Sequence, residues 1–186
     1  MTDVAYAGEE LIDPIRRQRI VFRKTAKDTN GDLVEVEAFY QPSSVAPPAH
    51  LHPQQEERFK VLSGSITVRL NAQENIYCAG ETFFIPIGVA HEMWNGSEDE
   101  TRLLWQTRPA MHTDDFLEVM WGLAQEGKTN KAGVPHILQL AVIMQKYRQE
   151  FRLTKPPLIV QKIVFALLAP LGRLCGYGAT RTLKGK

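Results

Sequence analysis

Apolar and polar residues alternate with a period of two over much of the first 110 positions of this chain. Leu33–Tyr40 (LVEVEAFY), Glu57–Leu62 (ERFKVL) and Ser65–Leu70 (SITVRL) each carry an apolar residue at every second place. Such alternation marks strands with one buried face. Further short segments rich in β-branched and aromatic residues read as strands: Arg19–Lys24, Ala49–His52, Thr82–Ile85, His91–Trp94 and Thr101–Thr107. Asn30-Gly31, Gly64, Asn71, Gly80, Pro86-Ile87-Gly88 and Asn95-Gly96 punctuate them, and Asn30-Gly31 is a hairpin signal. Many short strands with regular turns predict an all-β sandwich or barrel. Asp28, Asn30 and Asp32 resemble the start of a calcium loop. Leu33 stands where its glycine belongs and Phe39 where its glutamate belongs, so the segment is read as a turn.

After Pro109 the period changes to that of helices. Thr113 is placed to cap a helix reaching about Glu126, with Asp114 and Asp115 in its first turn and Gly127 as its stop. A second helix opens at Gly133-Val134-Pro135. It carries Ile137, Leu140, Ala141, Met144, Tyr147 and Phe151 at helical spacing and ends by Pro156-Pro157. A third covers about Leu158–Leu171. It is apolar nearly all round and shorter than a membrane span, so it is expected to be buried, against the barrel or a second subunit. The chain thus divides into a flexible segment 1–14, a β-barrel domain 15–110 and a helical extension 111–186.

Charge and cysteine content narrow the class. The chain's net charge of +1 favours no nucleic-acid partner, and no helix-turn-helix signature is visible. Seven basic residues and no acid follow Phe151, among them Arg152, Lys155, Lys162, Arg173, Arg181, Lys184 and Lys186. A basic tail docked on an acidic body is favoured over peripheral contact with a membrane. Cys78 and Cys175 have no metal-binding spacing, and MTDVAYAGEE at the start lacks the apolar core of a signal peptide, so a reducing cytoplasmic setting is expected.

The chemistry is concentrated in two segments. In a strand, His50 and His52 point the same way. Pro53 turns the chain, and in the next strand Glu57, Phe59 and Val61 share the apolar, inward face while Glu56, Arg58 and Lys60 face out. Parity therefore selects Glu57 over Glu56. Pro86-Ile87-Gly88 reverses the chain and delivers His91 to the start of another strand. Three imidazoles and a carboxylate suit one divalent ion: iron, manganese, nickel, copper or zinc. Met93 shares parity with His91. Met93, Phe59, Val61 and Trp105 are candidate pocket residues, although ordinary barrel packing is the commoner role of such side chains. Gln54, Gln55 and Glu56 read as solvated turn residues, and His112 and His136 as surface or capping residues.

The two segments resemble those of the cupin superfamily. His50-x-His52, four residues, Glu57, six residues and Gly64 match its first motif. Gly80, five residues, Pro86-x-Gly88, two residues, His91, three residues and Asn95 match its second. Fifteen residues lie between Gly64 and Gly80, as in bacterial single-domain members, and Ser44 replaces the family's opening glycine. The resemblance spans roughly Gln18 to Pro109. It implies a mostly β fold, a jelly-roll barrel with the metal in its mouth and usually a homodimer, here followed by about three helices. It also implies an enzyme acting on a small oxygen-bearing molecule, of dioxygenase type with Glu57 as a possible base. A metal-dependent isomerase or lyase, or a non-catalytic small-molecule sensor, stands as the alternative.

Overall fold

The computed structural model describes residues 5–180. Arg181, Lys184 and Lys186 of the basic tail lie outside the described residues. Among the described residues, eleven strands and three helices are arranged as two antiparallel sheets and a helical appendage. In chain order the strands are β1 (Glu10–Asp13), β2 (Gln18–Lys24), β3 (Val34–Tyr40), β4 (His50–Leu51), β5 (Glu56–Ser63), β6 (Ser65–Leu70), β7 (Gln73–Cys78), β8 (Thr82–Ile85), β9 (His91–Trp94) and β10 (Thr101–Arg108). The helices α1 (Thr113–Gln125), α2 (Ile137–Lys146) and α3 (Leu158–Leu174) follow, with the short β11 (Arg152–Leu153) before α3.

One sheet runs β1-β2-β3-β10-β5-β8 and the other β11-β4-β9-β6-β7. Their inward faces share one apolar core, built from Phe22, Val36, Phe59, Val61 and Leu103 on the first sheet and Ile66, Val68 and Met93 on the second. The period-two pattern explains this directly. Along β5, Glu57, Phe59 and Val61 are buried while Arg58, Lys60 and Leu62 are exposed. The fold is a mostly β jelly roll, as the pattern predicts.

Three strands have no such pattern in the sequence. β1 emerges from the segment read as a loose leader and pairs with β2 from Glu10↔Val21 to Asp13↔Gln18. β7, largely exposed at the edge of its sheet, pairs with β6. β11 is two residues long and pairs with β4. Asn30 and Gly31 do adopt positive φ, but within a loop from residue 25 to 33 rather than a two-residue hairpin.

Strand β3 is buried along its whole length, charged positions included. On its outer face Glu37 accepts hydrogen bonds from Arg23 and Arg102, which project from the two flanking strands. Burial acts to raise this carboxyl, but the two guanidinium groups outweigh it and hold Glu37 below its ordinary value.

The helical extension departs from expectation in three places. Thr113 does not cap α1. The N-cap is His112, without a side-chain bond, and the Thr113 hydroxyl instead accepts from Gln55 Nε2 at 2.7 Å. Helix α2 ends at Lys146, well before Pro156, so Tyr147 and Phe151 lie beyond it. Helix α3 buries only a narrow stripe, Gln161, Ala169 and Gly172, against its surroundings. Gly172 allows close approach to α2, since a Cβ there would lie 2.7 Å from Leu138 O. Ile159, Ile163, Leu167, Leu171 and Leu174 stay exposed, so within one chain the helix is not buried as its composition suggested. No helix among the described residues is long and apolar enough to cross a membrane.

Gly64 joins β5 to β6 at φ +75°, and a Cβ there would lie 2.9 Å from both Glu100 O and Thr101 Cα. Backbone strain and a clash with a neighbouring strand act together. The Gly64→Ala variant is expected to lose about 1–3 kcal/mol of stability, measured by denaturant unfolding. Unchanged stability would show that the β5–β6 turn has room to relax.

Candidate metal centre

The site lies where three strands of the second sheet meet β5 of the first. His50 on β4 is the direct cross-strand partner of His91 on β9. Their ring centroids are 4.3 Å apart, and His52 lies 5.3 Å from each. Their ligand nitrogens lie within 4.8 Å of one another, and all three residues are buried. Glu57 enters from the opposite sheet. Its Oε1 lies 3.3 Å from His52 Nε2 and its Oε2 3.1 Å from His91 Nε2. The four residues that parity and spacing single out are thus brought to one point. Glu56, on the other face, pairs with Arg58.

Backbone carbonyls fix the imidazoles. The Nδ1 atoms of His50, His52 and His91 lie 3.0, 2.7 and 3.2 Å from the carbonyls of Pro48, Glu150 and Val89. A carbonyl only accepts, so each Nδ1 carries a hydrogen and each Nε2 is turned toward the centre, where it offers a lone pair whenever the ring is neutral. This is the orientation that metal-ligating histidines adopt. Glu57 is fixed from the other side, where Trp105 Nε1 donates to its Oε1 at 2.9 Å. His52 Nε2 and Glu57 Oε2 are buried without a hydrogen bond of acceptable geometry. Burial of such atoms is costly unless something binds them. A donor set of three imidazole nitrogens and one carboxylate fits a divalent transition metal.

The charge states follow from packing. Burial holds His50 well below its ordinary pKa, and His91 and His52 beside it reinforce the shift. Burial also acts to lower His52, but the Glu57 carboxylate outweighs it and holds His52 above its ordinary value. Glu57 is the counterpart. Burial acts to raise it, yet His52 and His91 hold it well below the usual carboxylate range.

Beside the centre lies a cavity of about 380 Å³ between the barrel mouth and the helical extension. Of the candidate pocket residues, Phe59, Met93 and Trp105 line it. Val61 is fully buried in the barrel core and does not. Phe59 stacks on Phe83 and on Trp105, so even the lining aromatics are part of the packing.

The helical extension supplies the other wall, and here sequence reasoning missed several residues. Phe151, just beyond α2, stacks on His50 with ring centroids 4.6 Å apart. β11 pairs Leu153 with His50, and Thr154 N–H donates to Ala49 O at 3.0 Å, so β4 is clamped between β9 and β11. Gln55 is 1% exposed rather than solvated, and its Nε2 donates to Pro109 O, Ala110 O and Thr113 Oγ1. It ties α1 to the barrel rim. Phe151 carried the only sequence signal among these, its helical spacing, and that signal pointed to the wrong partner. His112 is exposed, and His136 Nδ1 accepts from Leu138 N–H as a capping group, as expected for both.

Residues 36–107 match the family described as Cupin domain. The barrel of this chain is a cupin domain, and it carries a helical C-terminal extension. Over 54 residues the chain is 44% identical to an oxidoreductase of Arthrobotrys oligospora, covering 28% of this chain. The match spans about a fifth (21%) of that relative's length. Among solved structures, an RmlC-like cupin from Shewanella frigidimarina is similar with TM-score 0.47 and 18% identity, over 55% of this chain and 86% of that one. The polyketide cyclase RemF from Streptomyces resistomycificus is similar with TM-score 0.45 and 24% identity, over 50% of this chain and 66% of that one.

The raised pKa of His52 predicts a pH dependence. Below that value His52 carries a proton that a metal must displace, so uptake releases a proton and affinity rises with pH. Zinc affinity measured by competition is expected to increase by about tenfold per pH unit while His52 is protonated, and to level off above its pKa. An affinity that levels off below the ordinary histidine value would contradict this charge assignment.

Proposed function

We propose that this protein is a metal-dependent enzyme of dioxygenase type, acting on a small organic molecule that offers oxygen atoms to a divalent ion held by His50, His52, Glu57 and His91. The observation that carries this reading is the convergence of three outward-bonded imidazoles and a buried carboxylate on one point at the edge of a cavity. The family's chemistry and the oxidoreductase relative accord with it.

A divalent ion so held supplies Lewis acidity to bound oxygen atoms and, when it is redox-active, a means of bringing dioxygen and substrate together. The residues of the chain provide the rest. Three Nδ1–H groups anchored on carbonyls keep the Nε2 lone pairs aimed inward without reorganisation. Trp105 holds one oxygen of Glu57, and the other faces His91 Nε2 at 3.1 Å. The low pKa of Glu57 favours a ligand role over that of general base, because a base works best with a pKa near the operating pH. Phe151, Phe59 and Met93 keep the site apolar and limit water.

The test is oxygen uptake by iron(II)-loaded protein with a panel of catechols, enols and 1,3-diketones. Substrate-dependent uptake is expected with at least one class, falling by about a hundredfold or more in His52→Ala. Conversion of a substrate without oxygen uptake would instead place the protein among metal-dependent isomerases or lyases. Tight binding without turnover would make it a sensor.

A further inference from the structure

Six residues lining the cavity each hold a buried polar atom that has no hydrogen-bond partner among the described residues: Arg16 Nε, His52 Nε2, Gln55 Oε1, Glu57 Oε2, Trp121 Nε1 and Glu150 Oε2. Two of these belong to the metal centre. The other four do not, and they come from four separate places: the β1–β2 turn, the β4–β5 turn, α1 and the corner between α2 and β11. Elsewhere in folded proteins such atoms are rare, because an unpaired buried donor or acceptor costs about 1–3 kcal/mol. Their concentration around one cavity points to a ligand that satisfies them.

Glu150 is the most telling of the four. It is 3% exposed, and its Oε2 has no hydrogen-bond partner among the described residues. Its backbone carbonyl, by contrast, is engaged, accepting from His52 Nδ1 at 2.7 Å. The corner therefore ties one residue to the metal centre through its main chain, and the same residue lines the cavity. The remaining walls are chiefly apolar and aromatic, Phe116, Leu117, Met144 and Phe151 among them. Arg16 is already committed through its terminal nitrogens to Asp13 Oδ2 and Gly133 O, so only its Nε is left for a ligand.

We propose that Glu150 is a specificity-determining residue of this cavity. The ligand it selects is a mainly apolar, ring-bearing molecule that carries a hydrogen-bond-donating hydroxyl or amino group in addition to the oxygens offered to the metal. Gln55 Oε1 is a second acceptor for such donors, and Trp121 Nε1 and Arg16 Nε are donors for an oxygen on the same molecule. A cavity of about 380 Å³ takes a molecule of two or three rings. This inference rests on the proposed function for the metal-binding end of the ligand but not for the Glu150 end.

Calorimetric titration with matched naphthalenes separates the two. 2,3-Dihydroxynaphthalene supplies the metal-binding oxygens. Derivatives with a third hydroxyl at ring carbon 5 or 6 add a donor, and their methyl ethers at that position add an oxygen without one. At least one trihydroxy compound is expected to bind wild-type protein about tenfold or more tightly than its methyl ether. In Glu150→Met the ratio is expected to fall to about one, read at the metal content measured for the variant and relative to its own affinity for 2,3-dihydroxynaphthalene. Should Glu150→Met fail to fold, Glu150→Gln, which keeps the shape but only one acceptor oxygen, is expected to reduce the ratio several-fold. No preference in the wild type, or a preference that persists in the variants, overturns the proposal. The same titrations on metal-free protein read the hydroxyl preference alone. A protein that takes up no metal yet shows that preference would overturn the proposed function and leave the role of Glu150 standing.

Discussion

The buried carboxylate of Glu57 is the constraint around which the rest of this molecule is arranged. A carboxylate at 2% exposure, on the apolar face of a strand whose next inward residues are Phe59 and Val61, is untenable without compensation. Trp105 provides one hydrogen bond. The remainder must come from positive charge, whether the proton held on His52 or an ion held by the three imidazoles. Those imidazoles in turn need their other nitrogens satisfied, and the carbonyls of Pro48, Val89 and Glu150 do so. One unfavourable burial thus dictates the conformation of a loop before β4, a turn before β9 and a corner nearly a hundred residues away in sequence.

That last contact changes the standing of the helical extension. It is not an appendage hung on a finished barrel. β11 continues the sheet that carries His50 and His91 past β4, Phe151 covers His50, and Gln55 fastens the start of α1 to the rim. The barrel gives the centre its donor atoms, while the extension gives the cavity its far wall and two of its unpaired polar groups, Trp121 Nε1 and Glu150 Oε2. The walls of the site are therefore divided between two parts of the chain with different folding patterns.

The division also explains what the sequence revealed and what it concealed. Parity along β5 and the Pro-x-Gly turn before His91 are local features with direct geometric consequences, so the barrel and its four inward polar residues were legible. Ser44, which departs from the family pattern, turned out to be integrated, since its hydroxyl accepts from the Asn95 N–H at 2.8 Å. Glu150 and Phe151 were not legible, because their roles arise from contacts with His52 and His50 that no local periodicity encodes. Gln55 was misread for the same reason. A glutamine in a turn looks solvated until the helix that will cover it is in place. The apolar composition of α3 spoke of burial, but one chain covers only the stripe of Gln161, Ala169 and Gly172.

The most direct test of this account is metal content. Protein reconstituted anaerobically with iron(II), then freed of excess, is analysed for iron beside an identically treated His91→Ala variant. The account predicts about one equivalent of metal in the wild type and a loss of most of it in the folded variant. Wild-type protein that retains no metal, or a variant that retains as much, would contradict the assignment of His50, His52, Glu57 and His91 as a metal centre.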